Sequence, residues 1–182
     1  LSNNSLYYPV DPTSRKDARI GGTISCNASG FIPGERGATR YWVESIEIVL
    51  LNGKKICARR GQYTSKNNEF IIDNKTVKVP TYIRPKIKNA SGIFSADTNQ
   101  IDFVDLIIGS EGIFGLITAC ELRLDKTSKN HIDFFIPFSN ESLAIKFYHY
   151  VSKFISNSDY DLKALEYFGY NSQKYMKNSE FL

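Results

Sequence analysis

An apolar run with β-branched members covers Ser45 to Leu51, Asn52-Gly53 follows, and Lys54 to Arg59 continues with Ile56 and Ala58 at alternate positions. Asn-Gly supplies the positive-φ residues of a tight two-residue turn, so this stretch predicts a β-hairpin. From Arg60 to Asn89 the chain turns polar and carries Pro80 and Pro85. Only short extended pieces, Phe70 to Ile72 and Val77 to Val79, interrupt it, and it reads as an excursion outside the core. Phe103 to Ile108 is too short for periodicity to separate helix from buried strand; a helix is expected. From Leu116 to Leu124, Cys120, Leu122 and Leu124 alternate with Glu121, Arg123 and Asp125. That period of two predicts a strand with one face on the core and the other in water.

A polar stretch, Lys126 to Asn130, then reads as a linker. Beyond it, Ile132 to Phe138 is expected to be a strand, and Ser139 or Asn140 caps a helix in which Leu143, Phe147, Val151, Phe154 and Ile155 share a face. Leu162 to Phe168 is again strand-like, with Asn171 to Met176 a short helix. The reading is therefore α+β, with domains at 1–126 and 131–182.

Two glycine clusters carry the candidate chemistry. Gly109-Ser110-Glu111-Gly112-Ile113-Phe114-Gly115 runs straight into the predicted strand, and Ile20-Gly21-Gly22-Thr23-Ile24-Ser25-Cys26-Asn27-Ala28-Ser29-Gly30 lies far upstream, behind the proline-stiffened turn Asp11-Pro12-Thr13-Ser14. Glycines without Cβ atoms let a backbone approach a flat or anionic group closely and present its N–H groups. Either cluster taken singly is ordinarily only a turn; two of them point to a ligand wall.

The 182 residues, 42% hydrophobic and 13% aromatic, suffice for a packed core. No apolar run approaches the ~20 residues of a membrane helix, so a soluble chain without a transmembrane segment is expected. It begins at Leu1 with no signal-like succession behind it, which reads as an internal fragment. Cys26, Cys57 and Cys120 are odd in number and widely spaced, unlike a disulfide framework or a metal site. A reducing, cytoplasmic setting is expected, with peripheral attachment at the inner face of a membrane compatible with it. The net charge of +4 is scattered singly along the chain, which argues against nucleic acid. His149 is expected at a helix surface, and no metal set is visible. Arg40, Arg84 and Lys88 are candidate anion contacts, each more ordinarily a solvated surface charge.

Taken in order, Pro12 through Gly30, Gly37-Ala38-Thr39-Arg40 before the hairpin, Lys88-Asn89-Ala90-Ser91-Gly92, and Gly109 to Thr118 resemble a known family. The match, spanning Pro9 to Leu124, is to the FAD-linked oxidases of the vanillyl-alcohol oxidase, or PCMH, type. It is nearest the branch of D-lactate dehydrogenase and the glycolate oxidase flavin subunit, which typically reads D-P-x-S, I-G-G-N, N-A-S-G or N-A-G-G, Y-G-A-T-R-D, K-N-A-A-G-Y and G-S-E-G-T-L-G-I-I-T. The resemblance implies that residues 1–126 are the second half of an FAD-binding domain, an antiparallel sheet with flanking helices, and that 131–182 open a ferredoxin-like substrate-binding cap. It places Pro12, Ser14, Gly21 and Gly22 near the flavin, Ser25, Asn27, Ala28 and Gly30 along the ring and pyrophosphate, and Glu111, Gly112, Gly115 and Ile117 on the ribityl and adenine side.

The implied activity is oxidation of a small D-2-hydroxy acid of the D-lactate, glycolate or D-2-hydroxyglutarate class by hydride transfer to non-covalently held FAD. Electrons would pass to a quinone, cytochrome, electron-transfer flavoprotein or iron–sulfur protein. Catalytic residues are not identified in this chain, and the isolated chain is expected to be inactive. The family's earlier phosphate loop has no counterpart before Pro9. Smaller departures are Arg36 for an aromatic, Tyr41 for an acid, Thr23 for Asn, and Ile113-Phe114 for Thr-Leu. The rival reading is a non-catalytic subunit or relic of a split flavoprotein that does not bind FAD on its own.

Overall fold

The computed structural model describes residues 5–79, 87–90 and 100–175. It divides into two units, Leu1–Thr127 and Ser128–Leu182. The first is a mixed α+β assembly around a three-stranded antiparallel sheet. The central strand β2, Val43–Leu50, turns through Leu51 to Lys54 into β3, Lys55–Arg59; the predicted hairpin is present, but its loop is longer than two residues and only Gly53 of the Asn-Gly pair stands at positive φ, 82°. On its other edge β2 pairs with β6, Gly115–Leu122, from Val43 opposite Leu122 to Leu50 opposite Gly115. The inward positions Val43, Ile46, Ile48 and Leu50 are buried, whereas Glu47 and Ser45 face outward beside Glu121 and Arg59.

Two short helices complete the layer over the inner face. α1 covers Ile20–Ser25, and α2 covers Phe103–Ile107, where the sequence predicts helix. The Asp102 side chain caps α2 by accepting from the Val104 N–H at 2.8 Å. Four of the five α2 residues are buried and join Ile24 and the strand side chains in one core.

The segment after Arg60 is not an excursion. β4, Glu69–Ile72, and β5, Lys75–Lys78, form a second hairpin, and Phe70, Ile72 and Val79 are buried in the same core. Phe70 meets Phe103 edge to face, with ring centroids 5.9 Å apart, and Tyr63 stacks on Phe103 at 5.4 Å. The signal overlooked is Asp73-Asn74, a second tight turn with both residues at positive φ, 50° and 60°. Pro80, Pro85 and Arg84 lie outside the described residues. A two-residue β1, Leu6–Tyr7, pairs with β7, Asp125–Lys126, and closes the unit.

The second unit is built on α3, Glu141–Ser156, which starts where the cap signal placed it: the Asn140 side chain accepts from the Leu143 N–H at 3.1 Å. Phe147, Val151 and Ile155 mark its less exposed face, and Phe147 packs on Phe138 with centroids 5.3 Å apart. The strands expected over Ile132–Phe138 and Leu162–Phe168 are not formed. Both runs are rich in strand formers, but a strand is completed by a hydrogen-bonded neighbour, and no ladder joins them among the described residues. A 3₁₀ turn at Tyr170–Tyr175 stands for the last predicted helix, with Met176 outside the described residues.

Candidate functional site

The two glycine segments lie edge to edge. The Gly109 N–H donates to the Ile24 carbonyl at 3.1 Å, and the Glu111 N–H donates to the Ser25 carbonyl at 2.9 Å. These bonds form because the second loop adopts a run of positive φ: 78° at Gly109, 53° at Glu111 and 82° at Gly112. Glycine relieves two of those positions of steric cost. The loop then closes through Ile113 N–H to the Ser110 carbonyl and Gly115 N–H to the Gly112 carbonyl, each 3.1 Å, and enters β6.

The remaining residues divide by what holds them. A Cβ on Gly30 would sit 2.6 Å from the Asp11 backbone nitrogen, so this glycine exists to let the Pro12 turn lie against the end of the first segment. Ser14 is exposed and its carbonyl accepts from the Asp17 and Ala18 N–H groups. The Ala28 carbonyl takes both the Thr39 N–H and the Thr39 hydroxyl, at 3.0 and 2.7 Å. Asn27 is buried at positive φ; its Oδ1 accepts from the Arg40 N–H at 2.9 Å and its Nδ2 donates to the Asn89 carbonyl at 3.4 Å. It therefore faces into the protein. Gly115 gives β6 its close approach to Val49, and Ile117 is half-buried against the core. A Cβ on Gly21 would meet the Ile117 carbonyl at 3.3 Å.

Gly22 differs from these. It is exposed within α1, and a Cβ built on it meets nothing within 4 Å. Glycine in a helix costs about 0.5–1 kcal/mol relative to alanine, and here no contact among the described residues requires it. A bare Cα beside open space, adjoining a second glycine loop, fits the close approach of a flat group from outside.

Arg40 and Lys88 correct the sequence reading. Arg40 is 2% exposed and is neither a free anion contact nor a surface charge. Its guanidinium donates to the Asp105 carboxylate at 2.9 Å, the Asp105 carbonyl at 2.8 Å and the Ile108 carbonyl at 2.6 Å. Arg60 completes the cluster, donating to the other Asp105 oxygen at 3.0 Å and to the Val43 and Arg40 carbonyls. Burial pushes the Asp105 carboxyl up, but the charges of Arg60 and Arg40 outweigh it and hold the group below the ordinary carboxylate range. Lys88 is half-buried and donates to the Gly30 carbonyl at 2.7 Å and the Ile32 carbonyl at 3.3 Å. The sequence held a signal for Asp105: a single acid within Phe103 to Ile108, otherwise apolar, must find a cation if that run is buried.

The departures from the family pattern are accommodated locally. Arg36 pairs with Asp125 at 2.7 Å and lies over the Trp42 ring, and Arg123 lies 4.6 Å from the Tyr41 ring centroid. Thr23 turns its hydroxyl back to the Arg19 carbonyl. Two surface hollows lie away from the glycine segments, one of about 400 Å³ over Glu47, Cys57, Arg59 and Glu121, the other of about 190 Å³ among Arg40, Arg60, Asp105 and Arg123. Both are spanned by ion pairs within the protein.

The sequence is 30% identical over 128 residues to a D-2-hydroxyglutarate dehydrogenase of Stutzerimonas stutzeri (strain A1501), covering 70% of this chain and 21% of that protein. It is 30% identical over 135 residues to a D-lactate dehydrogenase of Anaerostipes hadrus, covering 74% and 22%. To glycolate oxidase subunit GlcD of Bacillus subtilis (strain 168) it is 27% identical over 124 residues, covering 68% and 20%. No family model matches the chain. Over this matched region the chain is similar to D-lactate dehydrogenases, D-2-hydroxyglutarate dehydrogenases and glycolate oxidase subunits, the branch of proteins that its motifs resemble. It spans about a fifth of the length of the curated relatives it matches.

Proposed function

We propose that this chain supplies one wall of the FAD site of an oxidoreductase acting on a small 2-hydroxy acid, of the D-lactate, glycolate or D-2-hydroxyglutarate class. The observation that carries the reading is the junction of two distant glycine segments beside Gly22, whose missing Cβ leaves open space among the described residues. Residues 1–126 are then a PCMH-type second subdomain, and 131–182 the opening of a ferredoxin-like cap. Pro12, Ser14, Gly21, Gly22, Ser25, Ala28, Glu111 and Gly112 would border the cofactor, with Asn27, Gly30, Gly115 and Ile117 shaping the backbone behind them. FAD, held without a covalent bond, supplies the hydride acceptor; the hydroxyl proton goes to a base elsewhere in the whole protein, and electrons leave to a quinone, cytochrome, flavoprotein or iron–sulfur acceptor. Three unpaired cysteines support a cytoplasmic setting. Among the described residues no helix is long and apolar enough to cross a membrane.

The full-length protein is expected to purify yellow, with oxidised-flavin absorbance bleached by D-lactate, glycolate or D-2-hydroxyglutarate. A colourless protein that takes up no added FAD overturns the reading. A Gly22→Ala substitution separates function from stability: with open space around the new methyl, unfolding free energy rises by about 0.5–1 kcal/mol. FAD affinity, by quenching of flavin fluorescence, falls by about tenfold. A variant that gains stability and keeps its affinity places no cofactor against Gly22.

A further inference from the structure

We propose that Arg40 is a positioning residue that fixes the two glycine segments against each other. It is joined to both. Its backbone N–H is held by Asn27, the residue that ends the first segment, while its guanidinium holds the Ile108 carbonyl, immediately before Gly109. Neighbouring Thr39 adds two bonds to Ala28. Asp105, one turn before Ile108, receives the same guanidinium on its carboxylate and its carbonyl.

A rigid planar fork can hold three oxygens of residues 105 and 108 at fixed spacing; a lysine ammonium is a point charge on a flexible stem. The Gly109 to Ile24 and Glu111 to Ser25 bonds lie directly beyond this fork. Arg40 thereby sets whether those two amides meet their acceptors. Because Arg40 is 2% exposed, it does this from inside the protein, without reaching the open side of the glycine loops.

Arg60 provides the internal comparison. It shares the Asp105 carboxylate and is also half-buried, but its other bonds go to the Val43 and Arg40 carbonyls, neither of which belongs to a glycine segment. Removal of either arginine weakens the same ion cluster. Only removal of Arg40 frees Ile108.

The consequence for flavin rests on the FAD reading above, so the experiment has two readouts on the full-length protein. The first is amide hydrogen exchange in Arg40→Lys and Arg60→Met. In Arg40→Lys, exchange at Gly109 and Glu111 accelerates by about tenfold or more relative to the β2–β3 hairpin amides; in Arg60→Met the two groups of amides shift together. The second is FAD affinity by fluorescence quenching and the shape of the bound flavin's visible band. Small displacements of a binding wall are costly, so Arg40→Lys weakens affinity on the order of tenfold to a hundredfold and alters the band. Arg60→Met leaves both close to wild type even where its thermal midpoint falls as far.

If Gly109 and Glu111 stay protected in Arg40→Lys, or lose protection equally in Arg60→Met, Arg40 is only a stabilising core cation and the proposal is overturned. If exchange responds as stated but the wild-type protein takes up no FAD, the positioning role stands and the FAD reading fails.

Discussion

Gly115→Ala destabilises the first unit by about 3 kcal/mol or more, whereas Gly112→Ala, three residues earlier, costs about 1 kcal/mol. Both glycines stand at positive φ, 151° and 82°, so both substitutions strain the backbone. The difference lies in what the new methyl meets. At Gly112 the nearest atom is the Gly115 carbonyl oxygen at 4.0 Å. At Gly115 a Cβ would overlap the Val49 carbonyl oxygen and lie 2.9 Å from the Val49 carbonyl carbon and 3.0 Å from the Leu50 Cα. These are backbone atoms of the central strand, already paired to β3 on the far side, and they have no rotamer through which to yield. Relief therefore requires β6 to move away from β2, opening the Leu50–Gly115 and Val49–Leu116 pairs. Trp42 is the sole tryptophan and is 4% exposed within this unit, so its fluorescence during denaturant unfolding reports the unit directly. Equal midpoints for the two variants would show that φ, and not strand approach, decides the cost at Gly115.

The same residue shows where sequence reasoning reaches and where it stops. Gly109, Gly112 and Gly115 read alike along the chain, as a loop built for close approach. In space they separate: Gly109 and Gly112 serve loop conformation, and Gly115 serves strand packing. Local signals were legible wherever a short window fixes the geometry: Asn52-Gly53 for the first hairpin, Asn140 for the start of α3, and the period of two in β6. Long-range pairings were not. Nothing near Arg40 in sequence announces Asp105, 65 positions away, nor does anything near Asn27 announce Asn89. Polar composition likewise concealed β4 and β5, because two alternate residues, Phe70 and Ile72, suffice to bury a hairpin whose outer face carries Glu69, Ile71, Thr76 and Lys78. The adjacency of the two glycine segments was expected from the order of the family motifs, and the bonds between Ile24 and Gly109 and between Ser25 and Glu111 provide it.

Asp105→Ala costs about 3–5 kcal/mol, because it strips the partner from a guanidinium that is almost wholly buried and from a second that is a quarter exposed. Asp105→Asn is milder in shape yet leaves the same uncompensated charge, and it supplies the pH test. The cations beside Asp105 hold its folded carboxyl below the unfolded value near 3.8. A depressed folded pKa means that the unfolded chain takes up the proton first on acidification. The stabilisation is therefore fully present above the unfolded value, declines as the pH falls below about 4, and is gone once the pH passes below the folded pKa. Stability measured by Trp42 fluorescence should show wild type above Asp105→Asn across neutral pH, with the gap narrowing only in acid. Subtracting the variant cancels the outer-face carboxylates Glu47 and Glu121, which are also held low but by exposed partners. A gap that widened on acidification would mean that the folded carboxyl of Asp105 is held above its unfolded value instead of below it, so that burial and not the Arg40 and Arg60 charges decides its titration. Since the Arg40 fork also grips Ile108, acid should loosen Gly109 and Glu111 over the same pH range, earlier than it melts the β2–β3 hairpin.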